Sequence, residues 1–284
     1  MNRIILIGNG FDLAHGLKSK YEHFIEAYWN QKAKAFQNAY IEKKVVSIGR
    51  DVYKFEDDDI IVNGIIFYSN VNLSTCSNTK GYEGFFNLLS CIGIRNEQNL
   101  VFKNKFLEQI TKKNTLKYWV DIETEYYFAL NQCLVDKNND KIEKLNNDFL
   151  SIRNELIKYL HAQVSELPDK SPSIESKIYT EPFDIRGLGN NDFVIYLNFN
   201  YTHLEVLYCN DKNMDKIIHI HGMLGEPRNP IIFGYGDELD SKFGLIEQEN
   251  DNRYLENIKS IKYVETRNYQ DLLNYIQGII EFII

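Results

Sequence analysis

Three groups of residues in this 284-residue chain are suited to chemistry, and each stands where an apolar run ends. Gly8-Asn9-Gly10 closes Arg3-Ile4-Ile5-Leu6-Ile7 and leads into Phe11 and Asp12. Glycines there let the chain turn tightly and leave backbone N–H groups uncovered, as a phosphate requires. Asn200-Tyr201-Thr202 closes the run 193–199, and His221-Gly222 closes 217–220. A carboxamide can orient a hydroxyl or a water without adding charge. An imidazole takes and gives protons near neutral pH. Each has a plainer reading too, because asparagine favours turns and strand-end histidines often bond a carbonyl. His219 lies two residues before His221, on the same side of a strand, so His-x-His could hold a metal with Asp12, Asp237 or His203 as a third ligand. His15 and His203 follow the first and second turns and are candidates to line a pocket.

These residues need a sheet to bring them together. The unbroken aliphatic run 3–7 suits a strand buried on both faces of a parallel sheet. Runs 193–199 and 217–220 repeat the pattern, and 231–234 is a fourth, ending in Gly234-Tyr235-Gly236-Asp237. In a parallel sheet all strand C-termini share one edge, where nucleotides bind. Positions nearly 200 residues apart then meet in one cleft. Thr202 reads as the cap of a short helix, with Glu205 as its capping-box partner.

Between the first run and the later ones lies a different pattern. Helical spacing begins at Tyr21 and continues toward Tyr40. Val45-Val46, Ile60-Ile61-Val62 and Ile65 to Tyr68 read as strands, with Asn63-Gly64 as a hairpin turn. Phe85 to Ile92 reads as a helix or a buried turn. Three stripes follow: Leu100, Phe102, Phe106, Leu107 and Ile110; then Trp119, Ile122, Tyr126 and Leu130; then Ile142, Phe149, Ile152, Leu156 and Leu160. Residues 166–191, with Gly187 and Gly189, read as a connector. Residues 242–280 are helical in pattern, and 281–284 resembles the start of a strand. The fold expected is α/β, a Rossmann-like mostly parallel sheet in one domain over 1–284, with a mainly helical insertion at about 40–185.

Composition narrows the function. The chain is 44% hydrophobic, with a formal net charge of -8 and no long basic block. That argues against an extended nucleic-acid surface, though not against a pocket for one nucleotide. Cys76, Cys91, Cys133 and Cys209 are scattered, as in a reduced, cytoplasmic protein. No run is long enough for a membrane span.

The motifs resemble a known family. Gly-Asn-Gly-Phe-Asp-Leu-Ala-His-Gly-Leu (8–17), Trp119-x-x-x-Glu123, Phe199-Asn200-Tyr201-Thr202 and His219-Ile220-His221-Gly222 look like those of AbiH-type bacteriophage abortive-infection proteins. More distantly, the strand ends are similar to those of sirtuin-like NAD-consuming domains. Their pattern is Gly-Ala-Gly-x-Ser-x-x-x-Gly-Ile-Pro, then Thr-x-Asn-Tyr-Asp, then Leu-His-Gly. On it, Gly8, Gly10 and Gly16 match glycines, Asn200 the catalytic asparagine and His221 the catalytic histidine. The resemblance implies cleavage of the nicotinamide–ribose bond of NAD or a related nucleotide, with no prosthetic group. Gly8, Asn9, Gly10, Phe11, Asp12, His15, Thr202 and Gly222 would line the nucleotide. A phage-derived trigger and self-association stay open. The chain departs from the sirtuin-like pattern at Asp12, Lys18 and Thr202, and lacks a four-cysteine zinc site. The AbiH resemblance also implies a further Gly-His-Ser-Leu segment and aspartate beyond Ile284, so truncation of the C-terminal part is an expectation. Two other readings stand beside the hydrolase: a nucleotide-binding sensor without turnover, and a metal-dependent hydrolase using His219 and His221.

Overall fold

The computed structural model describes residues 3–67, 73, 80–117, 121–136, 139–166, 168–180, 194–209, 216–236 and 243–281. Trp119, Gly187, Gly189, Phe193 and Asp237, singled out in the sequence, lie outside these. In chain order the elements are β1 (Arg3–Ile7), α1 (Asn9–Ala14), α2 (Tyr21–Ile41), β2 (Val46–Gly49), β3 (Val52–Glu56), β4 (Ile60–Ile65), α3 (Gly81–Cys91), β5 (Leu100–Phe102), α4 (Lys105–Lys117), α5 (Ile122–Asp136), α6 (Asn139–Gln163), α7 (Pro172–Thr180), β6 (Val194–Asn198), β7 (Lys216–His219), α8 (Phe243–Gln248), α9 (Lys259–Thr266) and α10 (Asn268–Glu281). The chain is mixed α/β and divides into two compact units, Met1–Ser19 with Ile157–Ile284, and Lys20–Leu156.

The first unit holds a three-stranded parallel sheet in the order β1-β6-β7. Ile7 stands opposite Asn198, and Asn198 opposite His219. Gly8, Asn200 and His221 therefore leave the sheet at one edge, as the sequence predicts. Alternation assigns the faces. Ile5, Ile7, Tyr196 and Ile217 pack with Phe11 and Cys209 on one side. Ile195, Leu197 and Ile218 pack with Ile220 and with Leu272 of α10 on the other. β1 departs from the both-faces expectation. Among the described residues it is an edge strand, and Ile4 and Leu6 on the second face are 44% and 69% exposed. The cover from Leu272 reaches β6 and β7 instead.

Four further expectations are corrected in this unit. Residues 231–234 form no strand; Ile232 and Phe233 are buried, while the Ile232 N–H bonds the His221 carbonyl at 2.8 Å. Only Tyr235 bridges, to Ile258. Thr202 caps nothing, because the short 3-10 turn Leu204–Leu207 starts at His203 and the Thr202 hydroxyl is used elsewhere. At the C-terminus α10 runs to Glu281 where a strand was expected to begin, and 282–284 lie outside the described residues. The connector 166–191 carries the helix α7.

The second unit holds an antiparallel sheet, β2-β3-β4-β5, with helices. Asn63-Gly64 is not its turn but lies inside β4. Gly64, at φ +78°, sits where the register against β3 shifts, so it absorbs a bulge. The turns lie elsewhere: Asp51 adopts φ +60° after β2, and the Asp57 carboxylate accepts the N–H groups of Asp59 and Ile60 before β4. Leu100 and Phe102 belong to β5 rather than to the stripe of Phe106, Leu107 and Ile110 on α4, although all five are buried. Asp121 caps α5 through the N–H groups of Glu123 and Thr124. Among the described residues no helix is long and apolar enough to cross a membrane.

Candidate functional site

The strand ends of the first unit enclose a buried polar cluster. Asp12 lies in the first turn of α1, and its carboxylate is buried. It accepts from Asn200 Nδ2 at 2.9 Å and from Thr202 Oγ1 at 2.8 and 2.7 Å to its two oxygens. Asn200 Nδ2 also donates to the Gly8 carbonyl at 3.0 Å. Both amide hydrogens of Asn200 are thus spent, and its amide oxygen has no partner among the described residues. Burial pushes the Asp12 carboxyl up from 3.8 to about 6, against the hydrogen bonds from Thr202 and Asn200, which lower it; the charge of Glu205 adds to the rise and His15 opposes it.

A second tier holds Asn200 in place. Its N–H donates to Asn198 Oδ1 at 2.7 Å. Asn198 Nδ2 donates to the Thr202 carbonyl at 3.0 Å and to Glu205 Oε2 at 2.6 Å. The other oxygen of Glu205 accepts from His219 Nε2 at 2.8 Å, and His219 Nδ1 faces the Asn200 carbonyl at 3.4 Å. Asn198, Glu205 and His219 are all buried. A buried polar group without a partner is costly, so this closed network fixes the turn 198–202 in one arrangement.

His219 and His221 separate because β7 ends at His219. His219 goes inward to Glu205. His221 turns to the surface of the unit, where its Nδ1 lies 2.7 Å from the Tyr263 hydroxyl, and its ring stacks on Tyr263 and meets Phe199 edge-on. The alternation rule that put both on one side holds only within a strand. Among the described residues no three His, Cys, Asp or Glu side chains gather as a metal cage.

The other sequence candidates divide into two groups. Gly8, Asn9 and Gly10 are exposed. A Cβ on Gly8 or Gly10 would meet nothing within 4 Å, so packing does not demand glycine at either. Gly222 is different: φ is +80° and a Cβ would lie 2.1 Å from the Pro230 carbonyl oxygen, so close backbone approach requires it. Phe11 and His15 serve to pack α1. His15 Nδ1 donates to the Phe11 carbonyl at 2.7 Å, and its Nε2 lies 2.6 Å from the Tyr208 hydroxyl, which accepts the Ser171 N–H. Phe11 packs on both rings. His203 Nδ1 is buried and has no hydrogen-bond partner among the described residues.

Sequence reasoning missed Glu205 as a partner of His219, and Tyr263 altogether. Glu205 carried a signal, standing three residues after Thr202, but the capping box was the wrong use of it. Nothing in the spacing of α9 marks Tyr263.

The fold and these strand ends define an α/β protein whose parallel sheet closes on a buried carboxylate–amide–histidine network beneath an open glycine turn. This chain belongs to the AbiH family, described as bacteriophage abortive infection AbiH, which matches residues 4–284. That membership ties it to abortive infection in phage defence. No curated protein and no solved structure matches the chain.

Proposed function

We propose that the first unit is a Rossmann-like, sirtuin-like nucleotide site, and that the chain acts in abortive infection by hydrolysing the nicotinamide–ribose bond of NAD or a related nucleotide. One observation carries this reading. Asp12 and Thr202 are two of the departures from the sirtuin-like pattern, and the Thr202 hydroxyl donates to the Asp12 carboxylate. The carboxylate and the hydroxyl have exchanged places. Asp12 is turned inward and does not confront a phosphate at Gly8-Asn9-Gly10, where a free carboxylate would repel it. These two departures keep a carboxylate–hydroxyl pair, which supports the reading of a retained site.

The chemistry follows from the side chains. The C1′–N bond breaks with its electron pair going to the pyridinium nitrogen, so nicotinamide leaves neutral and needs no general acid. Positive charge develops on the ribose as in other glycosidic cleavages. The amide oxygen of Asn200, with its nitrogen anchored to Asp12 and Gly8, is aimed to accept from a ribose hydroxyl or the attacking water. Water attacks C1′ and passes its proton to His221. For His221 Nε2 to take that proton, Nδ1 must carry a hydrogen and donate it to the Tyr263 oxygen. Tyr263 then selects the tautomer.

The test is nicotinamide release from NAD, followed by chromatography. Replacing His221 by Ala lowers the rate about 10²- to 10⁴-fold if it is the general base. Tyr263→Phe lowers turnover with affinity unchanged, and Asn200→Ala abolishes turnover. Nucleotide bound without any release would favour the sensor reading instead. Loss of activity on chelation would favour the metal reading.

A further inference from the structure

We propose that Phe199 is the stacking platform for the leaving ring, the nicotinamide pyridinium; this rests on the reading of the strand ends as an NAD-cleaving site. Phe199 follows the last residue of β6, and its N–H still bonds the Ile7 carbonyl at 2.9 Å. Two residues of β6 shortly before it, Ile195 and Leu197, pack on one face of the sheet. Those two are buried, whereas Phe199 is 41% exposed.

Its neighbours leave room for a ring. The Phe199 N–H bonds the carbonyl of Ile7, the residue before Gly8, and the Asn200 amide donates to the Gly8 carbonyl, so Gly8 lies by this turn. A Cβ on Gly8 would meet nothing within 4 Å, so the space over it is open. Leu6, two residues earlier on the same face of β1, is 69% exposed. The phenyl ring is steadied by His221, with centroids 5.7 Å apart at 62°, and His221 is held in turn by Tyr263. An exposed phenyl ring near an open glycine offers flat apolar contact. Such a surface reads a π-face rather than hydrogen-bonding groups. Phe199 also adjoins Asn200 and touches His221, the two residues assigned to the reacting ribose. The ring nearest to it is therefore the one being cleaved. The electron-rich phenyl face favours the cationic pyridinium of the substrate over the neutral nicotinamide product.

The experiment compares two probes on the whole purified chain by calorimetry. One is carbocyclic NAD, which keeps the pyridinium but cannot form the oxocarbenium ion. The other is ADP-ribose, which lacks the ring. Phe199→Leu keeps an apolar side chain and removes the π-face, and Phe199→Trp keeps both. For Phe199→Leu the expected result is a loss of about 5- to 150-fold in affinity for carbocyclic NAD, the range for losing one aromatic stack, with ADP-ribose unchanged. Phe199→Trp should bind both like the wild type. The proposal is overturned if Phe199→Leu binds carbocyclic NAD normally, or loses ADP-ribose equally. It is also overturned if the wild type binds carbocyclic NAD no better than ADP-ribose, which would leave the site itself standing. Binding of neither probe by the wild type would remove the nucleotide reading and this platform with it.

Discussion

Asp12→Asn should make the first unit more stable at neutral pH, although it removes a buried, fully hydrogen-bonded carboxylate. Desolvation raises the Asp12 carboxyl from 3.8 to about 6, over the opposing bonds from Thr202 and Asn200. The folded value lies above the unfolded one, which reverses the sign usual for carboxylates. The folded state holds the extra proton between the two values. The contribution of Asp12 to stability is therefore complete below the unfolded value and is lost as pH rises through about 6. A rise of this size corresponds to about 3 kcal/mol at 1.36 kcal/mol per unit. The substituted carboxamide would still accept from Asn200 through its oxygen and could donate to Thr202, with no ionisation to oppose. The variant should exceed the wild type by about 3 kcal/mol at about pH 7.5, and the gain should vanish near about pH 3.5. β1 and β6 are paired, so hydrogen exchange of their amides reads this unit directly. Protection corrected for intrinsic exchange should rise roughly 150-fold at the higher pH, since 1.4 kcal/mol is a decade. A less protected variant at neutral pH, or a gain undiminished in acid, would refute the reasoning.

The tier beneath Asn200 makes the opposite prediction. Glu205→Ala or His219→Ala leaves one member of a buried pair alone, and each should cost about 3–5 kcal/mol in urea denaturation. Because they share one interaction, the double variant should cost clearly less than the two losses added together. Two glycines with similar sequence surroundings should behave oppositely. Gly222→Ala forces a Cβ toward the Pro230 carbonyl at positive φ and should lower the melting temperature or prevent folding. Gly8→Ala meets no atom and should melt like the wild type, yet weaken nucleotide binding measured by calorimetry.

The convergence of Gly8, Asn200 and His221 was legible in the sequence because it needs only three apolar runs and the common direction of a parallel sheet. The faces of those runs were not legible. Ile4 and Leu6 look as buried as Ile5 and Ile7, since a strand's own residues do not reveal where a helix such as α10 will lie over the sheet. Asn63-Gly64 misled for a related reason: a glycine at positive φ serves a bulge as well as a turn, and cross-strand register decides which. The run 231–234 has strand composition but is buried without pairing, because apolar content measures burial and not hydrogen bonding. At the site, the residue types were readable and the pairings were not. Asp12 read as a departure from the sirtuin-like pattern, and only the fold shows it bonded to Thr202, 190 positions away. His219 and His221 looked equivalent until the strand ended between them.

Under the proposed function, ligand binds at the parallel strand ends of the first unit. Selective ¹⁵N-glycine labelling tests it most directly, with Gly8→Ala and Gly10→Ala spectra assigning the two signals. On adding NAD, the amides of Gly8 and Gly10 should shift together and saturate, while Gly49 and Gly84 of the second unit should not move. Shifts confined to glycines of the second unit, with Gly8 and Gly10 unmoved at saturating NAD, would contradict it.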